Sequence, residues 1–179
     1  MTNYKEKLIV VGGYHHGYGY SKVTELMERK KNETFIWSVV ESKFQFEAFH
    51  ENSLVTIPHS DMNEEYVLLI GCNILTNNDL PQNFDAVLKF NGTWSYFGKL
   101  KKQRHFHKSI YWNERVYVIG GVHGNSDLTD SDEVSKTKME IWKIKDSPDE
   151  FKTTENWPEL QGWEHPHVFI VPDSFFPDY

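Results

Sequence analysis

Three times along this chain a short apolar run breaks on glycine. The segments are LIVVGG (residues 8–13), YVLLIGC (66–72) and VYVIGG (116–121), and their leading glycines, Gly12, Gly71 and Gly120, lie 59 and 49 residues apart. Two further columns recur in step. Trp37, Trp94 and Trp157 follow one another at 57 and 63 residues, and His50, His107 and His167 at 57 and 60. Three columns in the same order mark an array of repeated units, each needing its neighbours to cover its apolar surface.

Within each unit the sequence reads as four strands. The first follows the histidine column: Leu54–Ile57, Ser109–Trp112 and Val168–Val171. The second is the glycine-ended run, apolar at successive positions and therefore expected to be covered on both faces. The third is Val23–Glu28, Ala86–Phe90 and Met139–Ile144; the fourth carries the tryptophan. The only tempting helix, TELMERKKNE (24–33), reads as strand because its counterparts do. Unequal spacing comes from polar insertions at 59–65 and 125–136.

A chain of 179 residues can bury roughly 70% of its unfolded surface, enough for one domain. Aromatics make up 15% of it, a composition suited to many short pleated strands and unlike that of a disordered chain. The net charge of −7 gives no general attraction for nucleic acid or anionic membrane, so neither is expected as a partner. The lone Cys72 excludes an internal disulfide framework and a cysteine-based zinc site. No run approaches the ~20 apolar residues of a membrane span, and the four apolar residues at 8–11 fall short of a signal peptide. The expected compartment is the cytoplasm. The sequons at Asn32 and Asn91 are weak counter-signals, and Asn91-Gly92 reads as a tight turn.

A strand ending in two glycines, a variable loop, a third strand, a spaced tryptophan and an Arg/His segment together resemble the kelch repeat. The third unit matches best, through RHFH (104–107), VYVIGG (116–121), MEIW (139–142) and WPEL (157–160). The resemblance implies an all-β fold of kelch-type β-propeller blades, four antiparallel strands to a blade and about three blades' worth in this chain. The units run over about 1–48, 49–104 and 105–162, with a lone strand within 163–179. Gly12, Gly13, Gly71, Gly120 and Gly121 are then expected at sharp turns near the axis, with Cys72 a small buried residue in place of a second glycine. Trp37, Trp94 and Trp157 are expected to fill the wedges between blades.

The first unit shows no counterpart of the first strand. Three blades would leave apolar flanks open, and the spare C-terminal strand suggests that two chains exchange strands to complete a six-bladed ring. The rivals are a capping partner and a longer propeller.

Candidate chemistry is sparse. Among nine histidines the pairs His15/His16, His105/His107 and His165/His167 have spacings that could share a metal on one strand face. His107 and His167 belong to a repeat column, however, so structural roles are expected and no metal is assigned. No G-x-S-x-G nucleophile motif or phosphate loop is present, and no catalytic residue or cofactor is assigned.

The most distinctive loop is GGYHHGYGY (12–20). Its Tyr14, His15, His16, Tyr18 and Tyr20 have the composition of an adaptable binding surface. The kelch resemblance implies that the loops at 14–20, 73–85 and 122–136 share one face and hold a partner peptide there. A basic stretch, KLKKQRHFHK (99–108), could steer an acidic segment towards that face. The resemblance makes Arg104, with His105 beside it, a further partner contact. The expectation is a non-enzymatic protein-interaction module. The alternatives are a kelch-type enzyme, either a metal oxidase or a sugar-processing protein, and a remnant without function.

Overall fold

The computed structural model describes residues 1–16, 19–21, 23–41, 46–47, 52–58, 64–74, 85–104, 106–121, 139–143 and 152–153. Among these residues every helix or strand assigned is a strand. The first sheet contains β1 (Thr2–Tyr4), β2 (Lys7–Val11), β5 (Thr24–Arg29) and β6 (Phe35–Val40), antiparallel and in that order. Between β2 and β5 lies a separate ribbon of β3 (Tyr14–His15) and β4 (Gly19–Tyr20). After β7 (Phe46–Glu47), the middle sheet runs β8 (Ser53–Ile57), β9 (Tyr66–Ile74), β10 (Ala86–Phe90) and β11 (Trp94–Lys99). The third sheet runs β12 (Lys108–Trp112), β13 (Arg115–Ile119), β14 (Glu140–Lys143) and β15 (Lys152–Thr153). The segment 24–33 is strand where it is regular, as its counterparts foretell.

The N-terminal strand β1 corrects the sequence reading, which gave the first unit only three strands. It pairs with β2 through Thr2–Ile9 and Tyr4–Lys7, and it occupies the edge that a strand donated by a second chain would have taken. Strand exchange therefore loses its motive. The hairpin is made by Lys5 and Glu6, both at positive φ (45° and 62°), and Asn113 and Glu114 repeat this turn between β12 and β13 (49° and 57°). Two-residue turns of this hand match the twist of the flanking strands.

The glycine column is real at the level of backbone geometry. Gly12, Gly71 and Gly120 have φ of 66°, 73° and 69°. At Gly71 the backbone conformation and the space both demand glycine: an added Cβ would clash with His107 Cε1 and lie 3.0 Å from the Arg104 carbonyl oxygen. Gly13 and Gly121 add a second positive φ (125° and 89°), and in both units the strand stops before the pair. Cys72 does not supply that second turn. Strand β9 instead runs on to Ile74, where it pairs with β7 through Ile74–Phe46 and Asn73–Glu47.

Two apolar layers hold the sheets together. Tyr4 and Ile9 of the first sheet pack with Val67, Leu69, Leu88, Phe90 and Trp94 of the middle sheet. On the other side of the middle sheet, Val55, Ile57, Leu68 and Ile70 pack with Val116, Val118 and Trp142 of the third. The middle sheet is thus buried on both faces, as its unbroken apolar run required. The backbones of neighbouring sheets come together along their first strands. The Thr2 and Thr56 hydroxyls join β1 to β8 at 2.7 Å, and Ser109 N donates to Ser53 Oγ at 2.8 Å to join β12 to β8.

The tryptophan column divides. Trp94 is 4% exposed, sits 5.1 Å from the Phe90 ring, and donates from Nε1 to Thr24 Oγ1 at 2.9 Å across the junction. It packs between the first and middle sheets. Trp37 is 50% exposed, because no described sheet covers its face of β6. Trp157 and the expected strand at 168–171 lie outside the described residues.

Candidate functional site

The glycine ends of the second strands are where the sequence reading placed the binding loops. At the first of these ends, the chain leaves Gly13 and returns as the β3–β4 ribbon. Tyr14 stands opposite Tyr20 and His15 opposite Gly19. Ser21 N donates to Gly13 O at 2.8 Å and Gly12 N to Val23 O at 3.0 Å, so the base of the ribbon is tied to the first sheet. His16, at the turn, is exposed. Tyr18 lies outside the described residues, as do most of the loop at 73–85 and all of that at 122–136.

At the other two glycine ends a buried polar cluster joins the middle and third sheets. Glu140, the first residue of β14, is fully buried, as is Arg104. Arg104 Nη2 donates to Glu140 Oε1 at 2.7 Å, and Nη1 donates to Gly120 O at 3.1 Å. The same carboxylate accepts the backbone N–H groups of Lys101 at 2.7 Å and Lys102 at 3.2 Å. Burial pulls the Arg104 pKa down, and the Glu140 charge opposes that shift. The guanidinium stays charged, since arginine is not deprotonated in proteins. His107, 1% exposed, closes the cluster against Gly71.

This geometry moves Arg104 from the surface to the interior. The sequence reading made it a contact for an acidic partner, but its guanidinium is spent on Glu140 and on the end of β13. A buried charge needs a fixed counter-charge and further hydrogen bonds, and this pair has both. Sequence reasoning missed Glu140, which lies 36 residues from Arg104 and reads there as one polar residue of an alternating strand. His105 lies outside the described residues.

Part of the basic stretch faces solvent. Lys99, Lys101, Lys102 and Lys108 are exposed, while Leu100 between them is buried at 2%. The Glu140 carboxylate thus holds the backbone of this loop in place while its lysines face water. Among the described residues no group of three or more His, Cys, Asp or Glu side chains is arranged to hold a metal ion. Nor is any helix among them long and apolar enough to cross a membrane. Asn91, one of the two sequon asparagines, donates to Glu64 and accepts from Tyr4 Oη at 3.1 Å, as a structural turn residue would. No family model matches the chain, and no curated protein matches it.

Proposed function

We propose that this chain is a kelch-type protein-interaction module, a partial propeller that takes a peptide or protein at the glycine ends of its second strands. The observation that carries the reading is the β3–β4 ribbon. It is rich in tyrosine and glycine, and its base is hydrogen-bonded to the first sheet at Gly12 and Gly13. Tyrosine offers large contact area for little lost side-chain freedom, and an anchored ribbon limits the ordering cost on binding. The common φ of Gly12, Gly71 and Gly120 supports the repeat, and the joining of the sheets through their first strands supports a radial arrangement.

The lysines at 99–108 give this edge a local positive field on an acidic protein. They favour a partner with acidic residues, through faster encounter more than through raw affinity. The lone cysteine suits a reducing compartment such as the cytoplasm.

The test is capture of partners from a cell extract by the intact chain, followed by binding measurements with the purified partner. The Tyr14→Ala/Tyr20→Ala variant should lose binding while keeping its far-UV circular dichroism. Lys101→Glu/Lys102→Glu should slow association and weaken its dependence on salt. A folded ribbon variant that binds every captured protein as the parent does would refute the reading.

A further inference from the structure

The buried Arg104–Glu140 pair has half a match in the first sheet. Two residues before its leading glycine, each second strand is paired with one residue of its third strand: Val10 with Glu25, Leu69 with Leu88 and Val118 with Glu140. Glu140 lies on the face of the third sheet that packs on the middle sheet, beside Val116, Val118 and Trp142. Leu88 lies on the face of the middle sheet that packs on the first. In the first sheet Ile9 and Leu26 face the middle sheet, so alternation puts Glu25 on the opposite, outer face, beside Leu8, Val10 and Met27. Glu25 thus holds on the first sheet the place that Glu140 holds on the third.

The third sheet shows what covers that place. The chain leaving β11 buries Leu100, donates the backbone N–H groups of Lys101 and Lys102 to the carboxylate, and brings the Arg104 guanidinium onto it. Beside them the Phe97 ring meets Trp142 edge-on at 5.0 Å. On the first sheet the same surroundings are open: Phe35, Trp37 and Val39 are 58%, 50% and 64% exposed. Glu25 is half-buried, and no described residue gives its side chain a hydrogen bond or an ion pair. Arg29 lies on this face too, but at the other end of β5, where its guanidinium pairs with Glu33 at 3.0 Å.

The chain carries its own control. Arg104 stands three residues before His107, and the strand position it meets is Glu140. Three residues before His50 stands Glu47, and the strand position of that unit is the apolar Leu88. A carboxylate at the strand position therefore goes with an arginine at the loop position, as a buried carboxylate requires. Three residues before His167 stands Glu164, so a second copy of this chain offers a carboxylate at that step of its own column and is the wrong partner for Glu25.

We propose that the outer face of the first sheet docks a different protein, one that lays an apolar sheet face over Trp37 and Val39 and sets an arginine from the adjoining loop on Glu25. Arginine fits because its planar fork takes a carboxylate with two hydrogen bonds while its weak hydration lowers the cost of burial. The apolar side chains supply contact area, and the guanidinium fixes register and selects the partner. This surface is separate from the glycine ends, and the proposal does not depend on what binds there.

The probe is a synthetic peptide of residues 86–107, the hairpin and loop that cover Glu140 within the chain. In calorimetric titrations it should bind the intact chain one to one. The Arg104→Lys peptide, of equal charge, should bind about tenfold more weakly, and so should the parent peptide to a Glu25→Gln chain of unchanged circular dichroism. The Tyr14→Ala/Tyr20→Ala chain should bind it as the parent does, which separates this surface from the one proposed for the ribbon. A free hairpin pays an ordering cost, so a tethered form decides where the peptide binds too weakly to measure. Residues 86–107 joined directly ahead of Thr2, as they precede Lys108 in the chain, should raise the urea midpoint, and Arg104→Lys in the graft should cancel most of the rise. A graft that adds no stability, or an effect that survives both Arg104→Lys and Glu25→Gln, overturns the proposal. So does a parent chain that doubles its mass in sedimentation equilibrium while Glu25→Gln stays monomeric, since the face would then belong to a second copy.

Discussion

Trp37 and Trp94 hold the same place in the repeat and have opposite surroundings. Trp94 is walled in between two sheets with its indole N–H satisfied; Trp37 stands half in water on an outermost strand. The difference lies in what comes next along the stack. A repeat column fixes where a residue sits in its sheet, and the neighbouring sheet fixes whether it is buried. The middle sheet, covered on both sides, is therefore where sequence changes should cost most, and the open face of the first sheet is where they should cost least.

The largest contrast is between the tryptophans themselves. Trp94→Ala should cost about 3–5 kcal/mol, the usual loss for a buried aromatic. Trp37→Ala in the monomer should cost under about 1 kcal/mol, since much of the ring is already wet. Urea denaturation of the two variants at low protein concentration measures both, and similar losses would break the comparison.

Ion pairs should divide in the same way. Glu140→Gln leaves the Arg104 charge buried without its counter-charge and should cost about 3 kcal/mol. Glu33→Gln removes a pair with Arg29 whose side chains are 81% and 64% exposed, and should cost less than about 0.5 kcal/mol. Denaturant midpoints of the two variants decide it.

Glycines sharpen the point further. Gly71→Ala meets His107 as well as an unfavourable φ, and should cost about 2–3 kcal/mol. Gly92 also has a positive φ (81°), but an added Cβ there meets nothing within 4 Å, so Gly92→Ala should cost only the backbone term of about 1 kcal/mol. Equal losses in thermal melts would mean that the Gly71–His107 approach does not constrain the fold.

The smallest effects are those of pH, and their signs differ between the two regions. Burial in the covered sheet pushes the Tyr66 phenol up to about 12 from 10.0. The unfolded chain then ionises first, so stability present below pH 10 falls as pH rises through the folded value. Tyr66→Phe should flatten that alkaline slope. In the first sheet, Lys30 and then Lys7 hold the Glu28 carboxyl below its usual 4.5. Its small contribution is present above that value and fades as pH falls through the lowered one, and Glu28→Gln should remove the fading. Stability profiles against pH read both.

The glycine column was legible because it combines a local backbone demand with a fixed place in each unit. The third strands were legible for the same reason, including Thr24–Arg29, whose neighbours in the repeat outweighed its helical look. Strand β1 was missed because three residues carry no periodicity and the turn at Lys5-Glu6 lacks the usual Asn-Gly signature. A signal was present nonetheless: YKEKLIVVGG (4–13) matches WNERVYVIGG (112–121) position for position through the turn. The burial of Arg104 could not be read locally, because it depends on a carboxylate that only the pairing of β13 with β14 brings close. The exposure of Trp37 depends on the end of the stack, which no single unit encodes.

Hydroxyl-radical footprinting of Trp37 and Trp94 in the folded chain tests the account most directly. Trp94 should stay unreactive, and Trp37 should be oxidised as a half-exposed ring is. Oxidation of Trp94 in the folded chain, or equal protection of both rings, would contradict a stack covered in the middle and open at its first sheet.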